Sequence, residues 1–223
     1  MDSAAALETV NEAIARTCKI ARREPSAVTL IAVSKTHAAE KIEPLLEAGH
    51  RVFGENRVQE AQDKWPALRE QYDCVELHLI GQLQSNKAED AAALFDVIHS
   101  LDRPSLLKAL AKAYDKLGRR VPCFVQVDVG EEDQKGGCAI ADLPEFIAAA
   151  READVPVIGL MCIPPADKEP APFFALLGEL ARRHEPEPGA WGLSMGMSAD
   201  YETAVMLGAT HVRVGSALFG ERG

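Results

Sequence analysis

Aromatic residues are scarce, at 5% of 223, and positive charge is outnumbered: 24 Lys and Arg stand against 34 Asp and Glu, a formal net charge of −10 with histidine neutral. A chain short of both cationic surface and stacking rings lacks what nucleic-acid binding usually rests on, so nucleic acid is not expected as a partner. The five cysteines, at 18, 74, 123, 138 and 162, show no CxxC spacing, and their odd number leaves at least one unpaired. A reducing, cytoplasmic setting fits. The opening MDSAAALETVNEAIA places Asp2, Glu8 and Glu12 where a secretory signal needs a basic region, and no apolar run approaches a membrane span. What is present is 47% hydrophobic and 26% charged residues, the balance of a soluble globular chain large enough to bury most of the surface its unfolded form exposes. The length suits one domain over residues 1–223.

Apolar positions at Leu7, Val10, Ile14, Cys18 and Ala21 predict a leading amphipathic helix within residues 1–24, stopped before Pro25. Beyond it, short apolar runs alternate with helical patterns. Strands are predicted near 28–34, 51–54, 75–80, 96–99, 122–128, 157–161, 190–194 and 211–214, with helices near 38–48, 56–70, 84–94, 104–117, 139–152, 170–184 and 199–207. Gly49, Gly118 and Gly208 fall as helix stops, and Pro44 marks a helix start or kink. Eight strand-helix units demand parallel pairing and can close into a (β/α)8 TIM barrel with an extra N-terminal helix. The competitor, an open doubly wound sheet, would usually carry GxGxxG after its first strand, where this chain reads VSKTHAAEK.

In such a barrel, chemistry sits at the C-terminal ends of the strands. After strand one comes Lys35, an ammonium above apolar walls; partial desolvation would make it a nucleophile toward an aldehyde or ketone, although a solvated loop lysine is the commoner case. After strand seven comes Ser194-Met195-Gly196-Met197-Ser198, with Ser198 as an N-cap, and after strand eight comes Gly215-Ser216 leading into a short helical turn. Two helix starts with glycines and hydroxyls facing one point suggest an anion cradle, which Asp200 and Glu202 nearby weaken. A lysine across from a phosphate cradle points to pyridoxal phosphate (PLP) or a sugar-phosphate aldol donor.

The segments VSKTHAAEKI, FGENRVQEAQDKW, HLIGQLQSNK, VDVGEEDQKGGC, GLMCIPP and LSMGMSADYETAVMLGATHVRVGSALFGER together resemble the YggS/PROSC family of pyridoxal phosphate homeostasis proteins. The likeness runs over nearly the whole chain. It implies a single PLP-binding barrel of the fold-type III kind, like the N-terminal domain of alanine racemase but lacking the C-terminal β-domain. It implies PLP held as a Schiff base on Lys35, with Asn56 near the ring, Ser194 to Ser198 and Gly215-Ser216 at the phosphate, and Arg213 beside the pyridine nitrogen. An arginine only donates, so the ring nitrogen would stay unprotonated and the ring would be a poorer electron sink, which argues against transamination. In alanine racemase the second base is a tyrosine involving the C-terminal domain, whereas Tyr72, Tyr114 and Tyr201 here lie within or beside predicted helices. The implied role is storage, protection and delivery of PLP without an established reaction, with PLP-dependent apo-enzymes as recipients and a monomer expected. A PLP-dependent racemase or lyase is the alternative, and a cofactor-free Schiff-base aldolase the third reading.

Other residues are weighed and left out of the site. Lys87 and Lys135 follow strands three and five and would serve as transient second amines only if they were not simply solvated. His78, His99 and His211 lack the spacing of a metal set and read as satisfied buried histidines. Asp128 reads as a turn-former and Cys162 as packing. Gln82 and Ala88-Glu89-Asp90 depart from the family pattern, the second at a position often basic.

Overall fold

Runs such as LIAV, CFVQ and VIGLM are apolar on both faces, as strands must be when one side meets a barrel interior and the other a ring of helices. In the computed structural model, which describes residues 3–131 and 136–220, eight such runs form a closed parallel barrel in sequence order. The strands are β1 (Thr29–Val33), β2 (Val52–Glu55), β3 (Glu76–Leu79), β4 (Val97–Leu101), β5 (Cys123–Gln126), β6 (Val157–Met161), β7 (Gly192–Met197) and β8 (His211–Val214). Pairing of β1 with β8, Thr29 opposite His211 through Ala32 opposite Val214, closes the ring.

The helices are α1 (Ser3–Ile20), α2 (Ala39–Glu47), α3 (Val58–Gln71), α4 (Ala88–Leu94), α5 (Pro104–Leu117), α6 (Leu143–Glu152), α7 (Ala171–His184), α8 (Tyr201–Met206) and α9 (Ser216–Phe219). Gly49, Gly118 and Gly208 all take positive φ after their helices, and Pro44 lies within α2. The leading helix buries Leu7, Val10, Ile14 and Cys18, and is stapled to α8: Arg23 donates to the carbonyls of Val205 and Ala209 at 2.7 Å each, and Arg16 pairs with Glu202 at 3.2 Å. A cation on the last carbonyls of a short helix offsets its unsatisfied acceptors. Among the described residues no helix is long and apolar enough to cross a membrane.

Barrel interiors are usually packed with branched aliphatic side chains. This one holds His78, His99, Ser194, His211 and Arg213 beside Phe124 and Met161. Rings on non-adjacent strands meet across it, His99 to His211 at 6.0 Å and Phe124 to His211 at 4.9 Å. All five cysteines are free thiols; four are buried and Cys74 is exposed, in the loop that enters β3.

Candidate functional site

Lys35 lies two residues beyond β1, half-buried, in the turn Ser34 to His37. The turn is gripped by α3. Lys64 Nζ donates to the carbonyls of Ser34 at 2.9 Å and His37 at 3.0 Å, and Glu60 accepts the N–H of Thr36. Thr36 has φ 64°, a left-handed conformation that a β-branched residue keeps only when its surroundings impose it. Lys64 also pairs with Glu55 at 2.8 Å, and Glu55 Oε1 accepts from Ser34 Oγ at 2.6 Å and Trp65 Nε1 at 3.1 Å. Burial pushes the Glu55 carboxyl above the usual range, against the pull of Lys64. The His37 ring stacks on Phe219 at 4.7 Å, joining the lysine turn to α9.

Strand β7 continues to Met197, so Ser194 to Met197 are strand residues and not the loop that the sequence suggests. Ser194 is buried in the barrel interior, Met195 packs into the outer core, and only Met197 and Ser198 emerge at the mouth. The cause is a register shift between β7 and β8 at Ser194 to Met197, centred on Gly196 at φ 92°. A Cβ on Gly196 would stand 2.5 Å from Ala204 Cβ, so glycine is what lets this bulge lie against α8.

The sequence predicts Ser198 as the N-cap of α8, but the residue preceding that helix is Asp200 and Ser198 is turned elsewhere. Asp200 Oδ1 accepts the Met197 N–H at 2.6 Å, while Ser198 Oγ accepts the N–H groups of Gly215 at 3.1 Å and Ala217 at 3.4 Å. The hydroxyl therefore bridges the β7 and β8 loops.

Arg213 is buried. Its Nη1 donates to Ser194 Oγ at 2.7 Å and its Nη2 to the Cys162 carbonyl at 2.9 Å; it forms no ion pair among the described residues, and burial lowers its pKa.

These elements surround a cavity of about 670 Å³ at the C-terminal ends of the strands, within the range of small-molecule sites. Lys35, Asn56 and Arg213 line it, with Met197, Ser198, Gly215 and Ser216 on the far wall. Ser194, Met195 and Gly196 do not. Asn56 comes this close because a Cβ on Gly81 would fall 2.3 Å from the Asn56 carbonyl. Gln82 and Gln126, not expected at the site from sequence, also line the cavity, Gln82 Nε2 donating to Gln126 Oε1 at 2.9 Å; the signal available was a polar side chain closing β5 at Gln126 and another in the loop after β3 at Gln82.

Of the other candidates, Lys87 is outside the cavity lining and pairs with Asp90 at 3.2 Å. Lys135 lies outside the described residues. Asp128 accepts from the Gly130 N–H at 3.3 Å as a turn-former and also lines the cavity. Burial pushes the Cys162 thiol to about 12. His78 and His99 have both ring nitrogens within hydrogen-bond distance of partners, and no metal-binding cluster occurs among the described residues. Tyr114 donates to the Val121 carbonyl at 2.8 Å, and no tyrosine lines the cavity among the described residues.

A family model described as "Alanine racemase, N-terminal domain" matches residues 11–223. The pyridoxal phosphate homeostasis protein of Aquifex aeolicus is 39% identical over 228 residues, covering 100% of this chain and 99% of that one. The chain belongs to the pyridoxal phosphate homeostasis protein family. Among solved structures of this family, PipY of Synechococcus elongatus with PLP bound is 39% identical with a TM-score of 0.80, covering 93% of this chain and 100% of PipY. Alanine racemase from Corynebacterium glutamicum shares the fold at 21% identity and a TM-score of 0.65, with 95% of this chain covering 61% of the enzyme. The homeostasis relatives carry no enzyme name.

The cavity fits a phosphorylated aldehyde. Its lining brings together the Lys35 side chain, Ser198, Gly215 and Ser216, and the guanidinium in its wall has no carboxylate against it among the described residues.

Proposed function

We propose that the chain binds pyridoxal 5′-phosphate covalently through Lys35 and serves its intracellular homeostasis by storing, protecting and delivering it, without a catalytic reaction of its own. One observation carries the reading: the amine of Lys35 and the Ser198, Gly215 and Ser216 cradle line one cavity, with the Arg213 guanidinium in its wall. When bound, the cofactor supplies an aldehyde that condenses reversibly with an amine. Lys35, fixed by α3, offers that amine at the mouth. The N–H groups of Gly215 and Ala217, now on Ser198 Oγ, would turn with the Ser198 and Ser216 hydroxyls to phosphate oxygens. Arg213 only donates, so a ring nitrogen facing it accepts and stays unprotonated. PLP-dependent apo-enzymes are the recipients in this reading, the protein acts in the cytoplasm as a monomer, and residues 1–223 form one domain.

Intact mass before and after borohydride tests it. Wild type reconstituted with PLP should gain one reduced pyridoxyl phosphate, and Lys35→Ala should gain none. A wild type that traps no adduct, or a variant that traps as much, would overturn the assignment. Incubating loaded protein with amino acids in deuterated water separates carrier from racemase or lyase, since the carrier leaves the α-proton unexchanged.

A further inference from the structure

Arg213 is one end of a longer array of buried polar side chains. Four side chains continue from the guanidinium through the barrel interior to its opposite end. Arg213 Nη1 reaches Ser194 Oγ at 2.7 Å, Ser194 Oγ lies 2.8 Å from His99 Nδ1, His99 Nε2 lies 2.8 Å from His78 Nδ1, and His78 Nε2 lies 2.9 Å from Glu76 Oε1. Ser194, His99 and His78 are fully buried, while Glu76 is half-exposed at the start of β3. The line crosses from β8 through β7 to β4 and β3.

Donor and acceptor chemistry gives this line one direction. The guanidinium can only donate, so Ser194 Oγ accepts. The Ser194 O–H then points to His99 Nδ1, which leaves the His99 Nε2–H to donate to His78 Nδ1 and the His78 Nε2–H to donate to the Glu76 carboxylate. Every step is satisfied with both imidazoles neutral, in agreement with burial holding His99 well below its ordinary pKa and with the His78 contact holding the Glu76 carboxyl down. The reverse direction requires a protonated imidazole or a protonated Glu76. His211 stands outside the line, its Nδ1 on Thr210 Oγ1 at 2.8 Å.

We propose that Glu76, His78, His99 and Ser194 are positioning residues for Arg213: an ordered hydrogen-bond line that fixes the guanidinium toward the cavity and couples its donor strength to a carboxylate at the far end of the barrel. The line conducts no proton into the cavity, because its last member does not give one up. What it passes on is polarity and orientation. A buried cation without an adjacent carboxylate is held by such an ordered set of dipoles, each polarising the next. The consequence for the ring nitrogen rests on the cofactor reading above, whereas the line itself does not.

Nitrogen NMR of the full chain tests both parts. Without cofactor, His78 and His99 should both appear as Nε2–H tautomers, and the Arg213 guanidinium should show hindered rotation that becomes fast in Ser194→Ala. Glu76→Gln should shift the His99 nitrogens although it does not touch that ring. With ¹⁵N-pyridoxal phosphate loaded, Ser194→Ala and Glu76→Gln should both move the ring-nitrogen resonance, and Ser194→Ala should weaken retention by about tenfold. Phe124→Leu removes the ring stacked on His99 at 4.5 Å but no hydrogen-bonding atom, and should leave the ring nitrogen unmoved. Nδ1–H tautomers, or a His99 signal indifferent to Glu76→Gln, would overturn the line. A loaded ring nitrogen that ignores both variants would overturn its coupling to the cavity. If no cofactor loads, the carrier reading fails while the histidine and arginine signals still decide the proposal.

Discussion

Replacing Lys64 by methionine would remove the cation against Glu55 while leaving that carboxylate fully buried, with only Ser34 and Trp65 donating to it among the described residues. Breaking one partner of a buried pair typically costs about 3–5 kcal/mol, and uptake of a proton by Glu55, whose carboxyl is already pushed up, limits the loss to the lower part of that range. Urea unfolding of Lys64→Met should show it; a change under about 1 kcal/mol would mean that the pair is effectively solvated. The Lys35 turn loses two carbonyl anchors at the same time, so cofactor retention should fall with stability. Lys35 was legible in the sequence because a polar residue just past an apolar run sits at a barrel mouth. Lys64 was not, since a lysine within a helical pattern reads as solvated until β2 and the Lys35 turn are seen packed against it. Ser194 misled for a related reason: strand side chains alternate faces, so extending β7 turned an expected phosphate ligand into an interior residue.

Among the elements, β7 is the one whose end decides the site. Its bulge lets Ser198 reach the first N–H groups of α9, and that depends on Gly196 at φ 92° against Ala204. Gly196→Ala adds a left-handed alanine and a 2.5 Å clash, which together should cost about 1–3 kcal/mol. If α8 shifts to relieve it, Ser198 moves too, so the variant should release PLP faster than its lost stability alone explains. Stopped-flow transfer to an excess of free amine, set beside thermal melting, separates these effects; a variant with wild-type release and lowered melting would show that the bulge serves packing alone. The other strands were readable because parallel strands buried on both faces leave unbroken apolar runs. β7 was read short because Ser194 and Gly196 interrupt its run.

For the whole molecule, the buried histidines set the response to acid. Burial holds His99 well below its ordinary value and His211 at about 4, against about 6.5 in an unfolded chain. Between those limits the unfolded chain binds more protons, so stability is full above about pH 6.5 and declines as pH falls toward 4, each histidine adding a slope of up to about 1.4 kcal/mol per pH unit. Glu55 works in the opposite sense, its raised pKa making folding easier as it takes up a proton. His50 is lowered by burial as well, so three depressed imidazoles stand against this raised carboxyl, and the melting temperature should drop steadily from pH 7 to pH 4.5. A flat profile would mean that the interior admits water and protonates without unfolding.

The distribution of thiols has a practical side. Burial holds Cys123 and Cys162 at about 12 and Cys138 at about 11, and Cys18 is buried, which leaves Cys74 as the accessible thiol. Cys74 lies in the loop entering β3, at the end of the barrel away from the mouth. Maleimide dyes therefore have one address on the unmodified chain, remote from Lys35, and energy transfer between such a dye and the cofactor's own chromophore would time each loading and unloading event without an engineered cysteine.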